Sequence, residues 1–246
     1  MAMTTQILAW HGDPALKAEA VALMIAHRAA DDFIQGAFTQ LSETGFRGCF
    51  HGCLTTEKLA AEANLAVTDY LRSAAPIDYH GEGEQIWGID RKVGYILDRT
   101  FEAMPDSEHG DFAVAATQAI PVGADLSRVI DRWLLDILAD PEMGVRGLIA
   151  DGSAQRTAVD AVVALYERRL AGDEPTRDEW ITTRRAAADA GADAAAAAVD
   201  AYAAADAAAY ATVDAYAAAD AAAARRWQSS RLLHHLSAAP EPARTE

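Results

Sequence analysis

The stretch "GCFHGC" places Cys49, His51 and Cys53 within five residues, with Gly48 and Gly52 beside the thiols. Glycines permit a tight turn in which backbone N–H groups converge. A thiol in such a turn can have a lowered pKa, and a nearby imidazole can act as its base. Upstream, His27 and Asp31 stand at i and i+4, so they share one face of a helix. Cys49, His27 and Asp31 would then supply a nucleophile, a base and an orienting carboxylate. Alternatively, the thiolates of Cys49 and Cys53, with His27 or His51, would hold a zinc ion.

A plainer reading comes first: two cysteines and two glycines packing a tight structural turn. A thiol site, a metal site and a redox pair stand behind it. Zinc knuckles usually space their cysteines by two residues; here there are three, and no second cysteine pair follows. His27, among apolar neighbours, reads most simply as a hydrogen-bonded core histidine. His11 near Asp13 reads as part of a helix cap. "HGEGE" (His80–Glu84) has glycines but lacks the spacing and lysine of a phosphate loop. His234 and His235 fall near a helix C-terminus, where the dipole favours imidazolium; metal binding there is the lesser account.

The chain has 246 residues and a formal net charge of −16. That length suits one large domain, or one with an appendage. Apolar residues make up 51%, but many are alanine, so the core is leaner than that figure implies. The acidic balance argues against a nucleic-acid binder and suits a protein that meets a basic partner. Two cysteines make no disulfide scaffold, so a reducing compartment is the default. "MAMTTQILAWHGDP" has neither the basic start nor the apolar run of a signal peptide. No stretch reaches the ~20 strongly apolar residues of a membrane span. The expectation is a cytoplasmic protein with no membrane association.

Helix signals dominate the elements that must position these residues. Asp13-Pro14 opens a helix expected to run to about Phe38, with Leu16, Ala20, Leu23, Met24, His27 and Ile34 at helical spacing. "ETGFRGCFHGC" reads as a glycine-rich turn, after which Thr55 or Thr56 caps a short helix. "AAPIDYHGEGEQIWG" reads as a loop by composition. Val93, Ile96, Leu97 and Phe101 share the face of a further helix. "IPVGADLSRVIDRWLLDIL" is a turn and then a helix, and Asp140-Pro141 repeats the Asp-Pro start signal. Ser153 opens a helix that stops at Gly172. Thr176–Glu179 is a capping-box candidate, and nothing breaks the following helix decisively before Pro240. No period-2 strand is evident. That last helix would span about 90 Å from Arg177 to Leu236, with Gly191 its interior weak point.

"VDAYAAADAAA" occurs at Val199–Ala209 and again at Val213–Ala223, an offset of fourteen residues, or two heptads. Val199, Asp206, Val213 and Asp220 fall on one heptad position. The resulting alanine seam either packs on the chain's own helices or pairs with a partner helix, a second copy included. Mimicry of a phosphate backbone by its aspartates is disfavoured. Residues 181–246 hold eight acidic and six basic side chains, so residues 1–180 carry −14 of the charge.

The order "HGDPALK", "HRAADDFIQG", "GCFHGC", "LDRTFEAMP", "AIPVGADL" and "LAGDEP", then an alanine-rich Tyr/Asp tail, resembles a group of uncharacterised bacterial and phage or prophage proteins. Some of these carry the label of immunity proteins. The resemblance covers nearly the whole chain, and its most specific parts are the paired Gly-Cys turn and "AIPVGADL". It implies a helical protein of mobile elements that acts by binding host or defence components. It transfers no catalytic residues.

The expectation is therefore an all-α protein. Residues 1–172 form a compact body, 173–236 a long alanine-rich helix or helical hairpin, and 237–246 a disordered tail. The leading function is a non-enzymatic protein-interaction role, immunity-like or anti-defence, with homodimerisation through the alanine-rich helix in view. The alternatives are a small thiol enzyme or zinc protein built on Cys49, Cys53, His27, His51 and Asp31, and a structural assembly protein.

Overall fold

A computed structural model describes residues 7–42, 45–73, 76–189 and 218–241. Most of the alanine-rich repeat, with its heptad seam and Gly191, lies outside the described residues, as do residues 242–246.

Asp13 Oδ1 accepts the Ala15 N–H at 2.8 Å and opens α1 (Pro14–Ala30), with proline in the first turn. The helix stops at Ala30, short of the expected Phe38. Asp31 turns left-handed (φ 57°, ψ 39°), and the Asp32 N–H donates to the His27 carbonyl at 3.0 Å. A hairpin follows, β1 (Thr39–Leu41) antiparallel to β2 (Phe46–Gly48), with Gln40 opposite Arg47. Strands of three residues are too short to display a period of two in the sequence.

"GCFHGC" is the start of a helix, not a free turn: α2 spans Phe50–Glu62 with Cys49 at its N-cap. Thr55 and Thr56, expected as caps, are buried inside it, and Thr56 Oγ1 donates to the Gly52 carbonyl at 2.5 Å. The glycines answer to a close crossing. A Cβ on Gly52 would fall 1.6 Å from the Phe38 carbonyl oxygen, and one on Gly48 would fall 2.5 Å from the same atom. After α3 (Val67–Ser73), the expected loop at "YHGEGEQIW" is instead α4 (Tyr79–Trp87). Asp78 caps it by accepting the Gly81 N–H at 3.2 Å. Each glycine costs helix propensity, about 1 kcal/mol relative to alanine. Packing overrides that cost, because a Cβ on Gly83 would meet His51 Cδ2 at 2.9 Å. The next helix, α5 (Arg91–Ala103), matches expectation: Asp90 caps it, and Val93, Ile96, Leu97 and Phe101 are buried. Then α6 (His109–Ala119) forms without a side-chain cap, which is why its start carried no signal.

The chain folds as two compact units, Met1–Ser127 with Leu236–Glu246, and Arg128–His235. The boundary after Ser127 falls within the stretch read as one body. In the first unit, α1 packs on α6, and α2 packs on both α4 and α5. Trp10, Met24, Phe50, Trp87, Leu97 and Phe101 are fully buried there. C-terminal residues belong to this unit as well, since the Asp125 N–H donates to the Pro240 carbonyl at 2.8 Å.

The second unit holds α7 (Val129–Ala139), α8 (Ala154–Leu170), α9 (Arg177–Asp189) and most of α10 (Ala218–Ser237). The capping box forms as expected: the Glu179 N–H donates to Thr176 Oγ1 at 3.2 Å, and the Thr176 N–H donates to Glu179 Oε2 at 2.7 Å. Asp140-Pro141 starts no α-helix; it makes a turn that leads into a 3-10 turn at Val145–Leu148. Trp133 Nε1 donates to the Gln228 carbonyl at 2.9 Å and ties α10 to α7. The described residues are thus all-α apart from one small hairpin. No described helix is long and apolar enough to cross a membrane.

Candidate metal centre

Three helices of the first unit each bring one ligating side chain to a common point. His51 is the second residue of α2, His80 is the second residue of α4, and Asp98 lies on the inner face of α5. Asp98 Oδ1 accepts the His51 backbone N–H at 3.1 Å, one of the otherwise unpaired donors at the start of α2. Its Oδ2 accepts from His80 Nε2 at 2.7 Å and lies 3.3 Å from His51 Nδ1. One ligating atom from each of the three residues lies within 4.8 Å of the other two.

Burial is uneven. His51 is 0% exposed and Asp98 6%, whereas the His80 side chain is 15% exposed. Burial alone would push the Asp98 carboxyl up, but the facing imidazoles of His51 and His80 outweigh it and hold the group well below the usual carboxylate range. The same carboxylate acts on Cys49 through its charge. Burial, and then the charge of Asp98, push the Cys49 thiol far above its ordinary value.

Glycine makes room for the His51 ring on two sides. A Cβ on Gly83 would lie 2.9 Å from His51 Cδ2, and one on Gly94 would lie 2.8 Å from His51 Nε2. Both ring nitrogens of His51 are buried without an aligned hydrogen-bond partner. The 3.3 Å approach of Nδ1 to Asp98 Oδ2 is therefore close but not a formed hydrogen bond. Phe38 and Tyr95 flank His80, with ring centroids at 5.5 and 5.7 Å.

The site residues expected from the sequence fall into separate neighbourhoods. Cys49 and His51 lie beside Asp98, whereas His27 and Cys53 lie on the side of Asp32 and Glu57. His27 Nδ1 is 3.1 Å from Asp32 Oδ2, and its Nε2 is 3.5 Å from Glu57 Oε1. The His27–Asp31 pairing does not form. Asp31 leaves the helix in the left-handed conformation, its side chain is 96% exposed, and it borders an open cleft of about 470 Å³ with Arg47, Asp106 and His109. Cys53 Sγ donates to the Gly48 carbonyl at 3.4 Å, and burial pushes its thiol far up. Both cysteines are free and buried.

Of the expected ligands, then, His51 alone enters a three-ligand cluster among the described residues. His80 and Asp98 were not among the expected site residues. One signal for Asp98 was present: a carboxylate on the stripe of Gly94, Leu97 and Phe101 must find a buried partner. His80 carried no such signal, because its segment read as a loop. Compared with known proteins, the chain matches no family model, no curated protein and no solved structure.

Proposed function

We propose that the protein binds one divalent metal ion, zinc by preference, through His51 Nδ1, His80 Nε2 and Asp98 Oδ2. The convergence of one ligating atom from each of these three residues within 4.8 Å carries the reading. Two imidazoles and a carboxylate are borderline N/O donors of the kind zinc takes. Bond lengths of 2.0–2.2 Å at tetrahedral angles put ligand atoms about 3.4 Å apart. His51 and Asp98, at 3.3 Å, already stand at that spacing. His80 and Asp98, at 2.7 Å, must open by about 0.7 Å to reach it. An ion would also give the buried His51 Nδ1 the partner it lacks. The test is calorimetric titration of zinc into chelator-treated protein, with native mass spectrometry for stoichiometry. One ion per chain is expected, with affinity lost in His80→Ala, whose partly exposed side chain can be removed without emptying the core. Absence of stoichiometric binding, or equal affinity in His80→Ala and in Asp98→Asn, overturns the reading.

A second reading is protein interaction by the acidic chain, immunity-like or anti-defence, favoured by the −14 charge of residues 1–180. It predicts salt-sensitive capture of a basic partner that charge-reversed variants lose and His80→Ala retains. Capture indifferent to salt and to charge reversal counts against it.

A further inference from the structure

We infer that this centre keeps one coordination position open on the His80 side, and that it accepts there an oxygen-donor anion bearing a flat apolar group, of the aryl hydroxamate or aryl carboxylate class. The inference rests on the metal reading above and gives that site its ligand. Three observations carry it.

Ligand count comes first. A structural zinc is closed by four protein donors, whereas a reactive one keeps a position free. Among the described residues, the ligating side chains number three. Cys49 is the nearby soft donor, but it is buried at the N-cap of α2 and stands outside the cluster.

Access is one-sided. The His51 ring is sealed between Gly83 and Gly94, and Asp98 is buried against the start of α2. His80 is the ligand with an exposed edge, so an incoming group arrives on its side. There it meets Phe38, which is 43% exposed, stands edge-on to His80, and stacks on Tyr79 with ring centroids 5.0 Å apart. Phe38 thus sits beside the metal position with surface available to a flat apolar group.

Charge selects the sign of the ligand. A dication with two neutral imidazoles and one carboxylate leaves a net +1 at a largely buried point, which an anionic oxygen donor neutralises.

The experiment loads full-length protein with cobalt(II) and follows its visible absorption while acetohydroxamate or benzohydroxamate is added. Both should produce a saturable spectral change, with benzohydroxamate bound about tenfold more tightly through its ring. Phe38→Ala should bind cobalt with unchanged stoichiometry and lose that tenfold preference. A cobalt spectrum indifferent to both hydroxamates shows a closed centre and overturns the inference while leaving the metal reading standing. Equal affinities in the wild type, or a preference that survives Phe38→Ala, overturn the apolar part. Failure to bind cobalt at all removes the metal reading itself.

Discussion

Asp98 holds His51 at two points: Oδ1 takes the backbone N–H at 3.1 Å, and Oδ2 lies 3.3 Å from Nδ1 of the same residue. The start of α2 is therefore tied to one buried carboxylate on α5, which also faces the ring of its histidine. This makes Asp98 a structural group as well as a candidate ligand, and it predicts that stability and metal affinity will be lost together.

In metal-free protein, Asp98→Asn is expected to cost about 3 kcal/mol, the upper scale for leaving the buried hydrogen-bond partners of a carboxylate unsatisfied. Its pH dependence follows from the depressed carboxyl. The folded group ionises below its unfolded value of about 4, so its contribution is complete above that pH and lost progressively as pH falls below it. Urea unfolding at pH 7 and at pH 3.5 checks this: the gap between wild type and variant should narrow at the lower pH. A cost under about 1 kcal/mol at pH 7 would mean that the carboxylate does little for the fold.

Gly94→Ala should be destabilising, although alanine in a helix interior normally gains about 1 kcal/mol over glycine. The new Cβ would stand 2.8 Å from His51 Nε2. Overpacking of this kind costs about 1–3 kcal/mol. Placed in a His51→Ala background, the same substitution should turn neutral or stabilising. A double-mutant cycle by chemical denaturation measures the coupling, and additive effects would show that the glycine is not there for the ring.

The two thiols should be inert. Burial holds both Cys49 and Cys53 protonated far above their ordinary range. In the metal-free native protein at pH 8, an aromatic disulfide reagent should label them only at the rate of unfolding, and should label both at once in denaturant. Because the unfolded thiols ionise near pH 8.5 and the folded ones do not, stability should also decline as pH rises past that value. Fast native labelling of Cys49 would restore the thiol-enzyme reading.

In the second unit, Asp136 accepts from Arg231 Nε at 2.7 Å and from His235 Nε2 at 2.7 Å. Asp136→Ala should cost about 2 kcal/mol by leaving both partners of α10 unpaired. Burial lowers the His235 pKa, with Asp136 opposing that shift. The unfolded imidazole then binds its proton first, so this contribution is present above about pH 6.5 and lost as pH falls. Without Asp136 the loss on acidification should steepen, which thermal melts at pH 7.5 and pH 5.5 would show. A variant no more acid-sensitive than wild type would rule out the opposition.

Local signals were legible wherever a residue acts on its own neighbours. The Asp13-Pro14 start, the Ser153 cap, the Thr176–Glu179 box and the apolar stripe of α5 all appear as the spacing predicts. These depend on contacts within about four residues, and a sequence displays such contacts directly. Misreadings cluster at glycine. Gly52, Gly81 and Gly83 read as turn formers, yet each lies inside a helix, because a neighbouring backbone or side chain stands too close for a Cβ. Composition reports a glycine's freedom but is blind to the neighbour that requires it.

By itself, then, the sequence determined an all-α protein, its principal caps and the apolar face of α5. It also showed that residues 1–180 carry nearly all of the net charge. Only the tertiary structure decided which histidine meets which carboxylate. His51, His80 and Asp98 are 29 and 18 residues apart in succession. Their meeting depends on α2, α4 and α5 packing together, with Gly83 and Gly94 small enough to admit an imidazole between them. His27 met Asp32 and Glu57 for the same reason: the chain ended its helix at Ala30 rather than near Phe38, and side chains pair with what the packed backbone brings near.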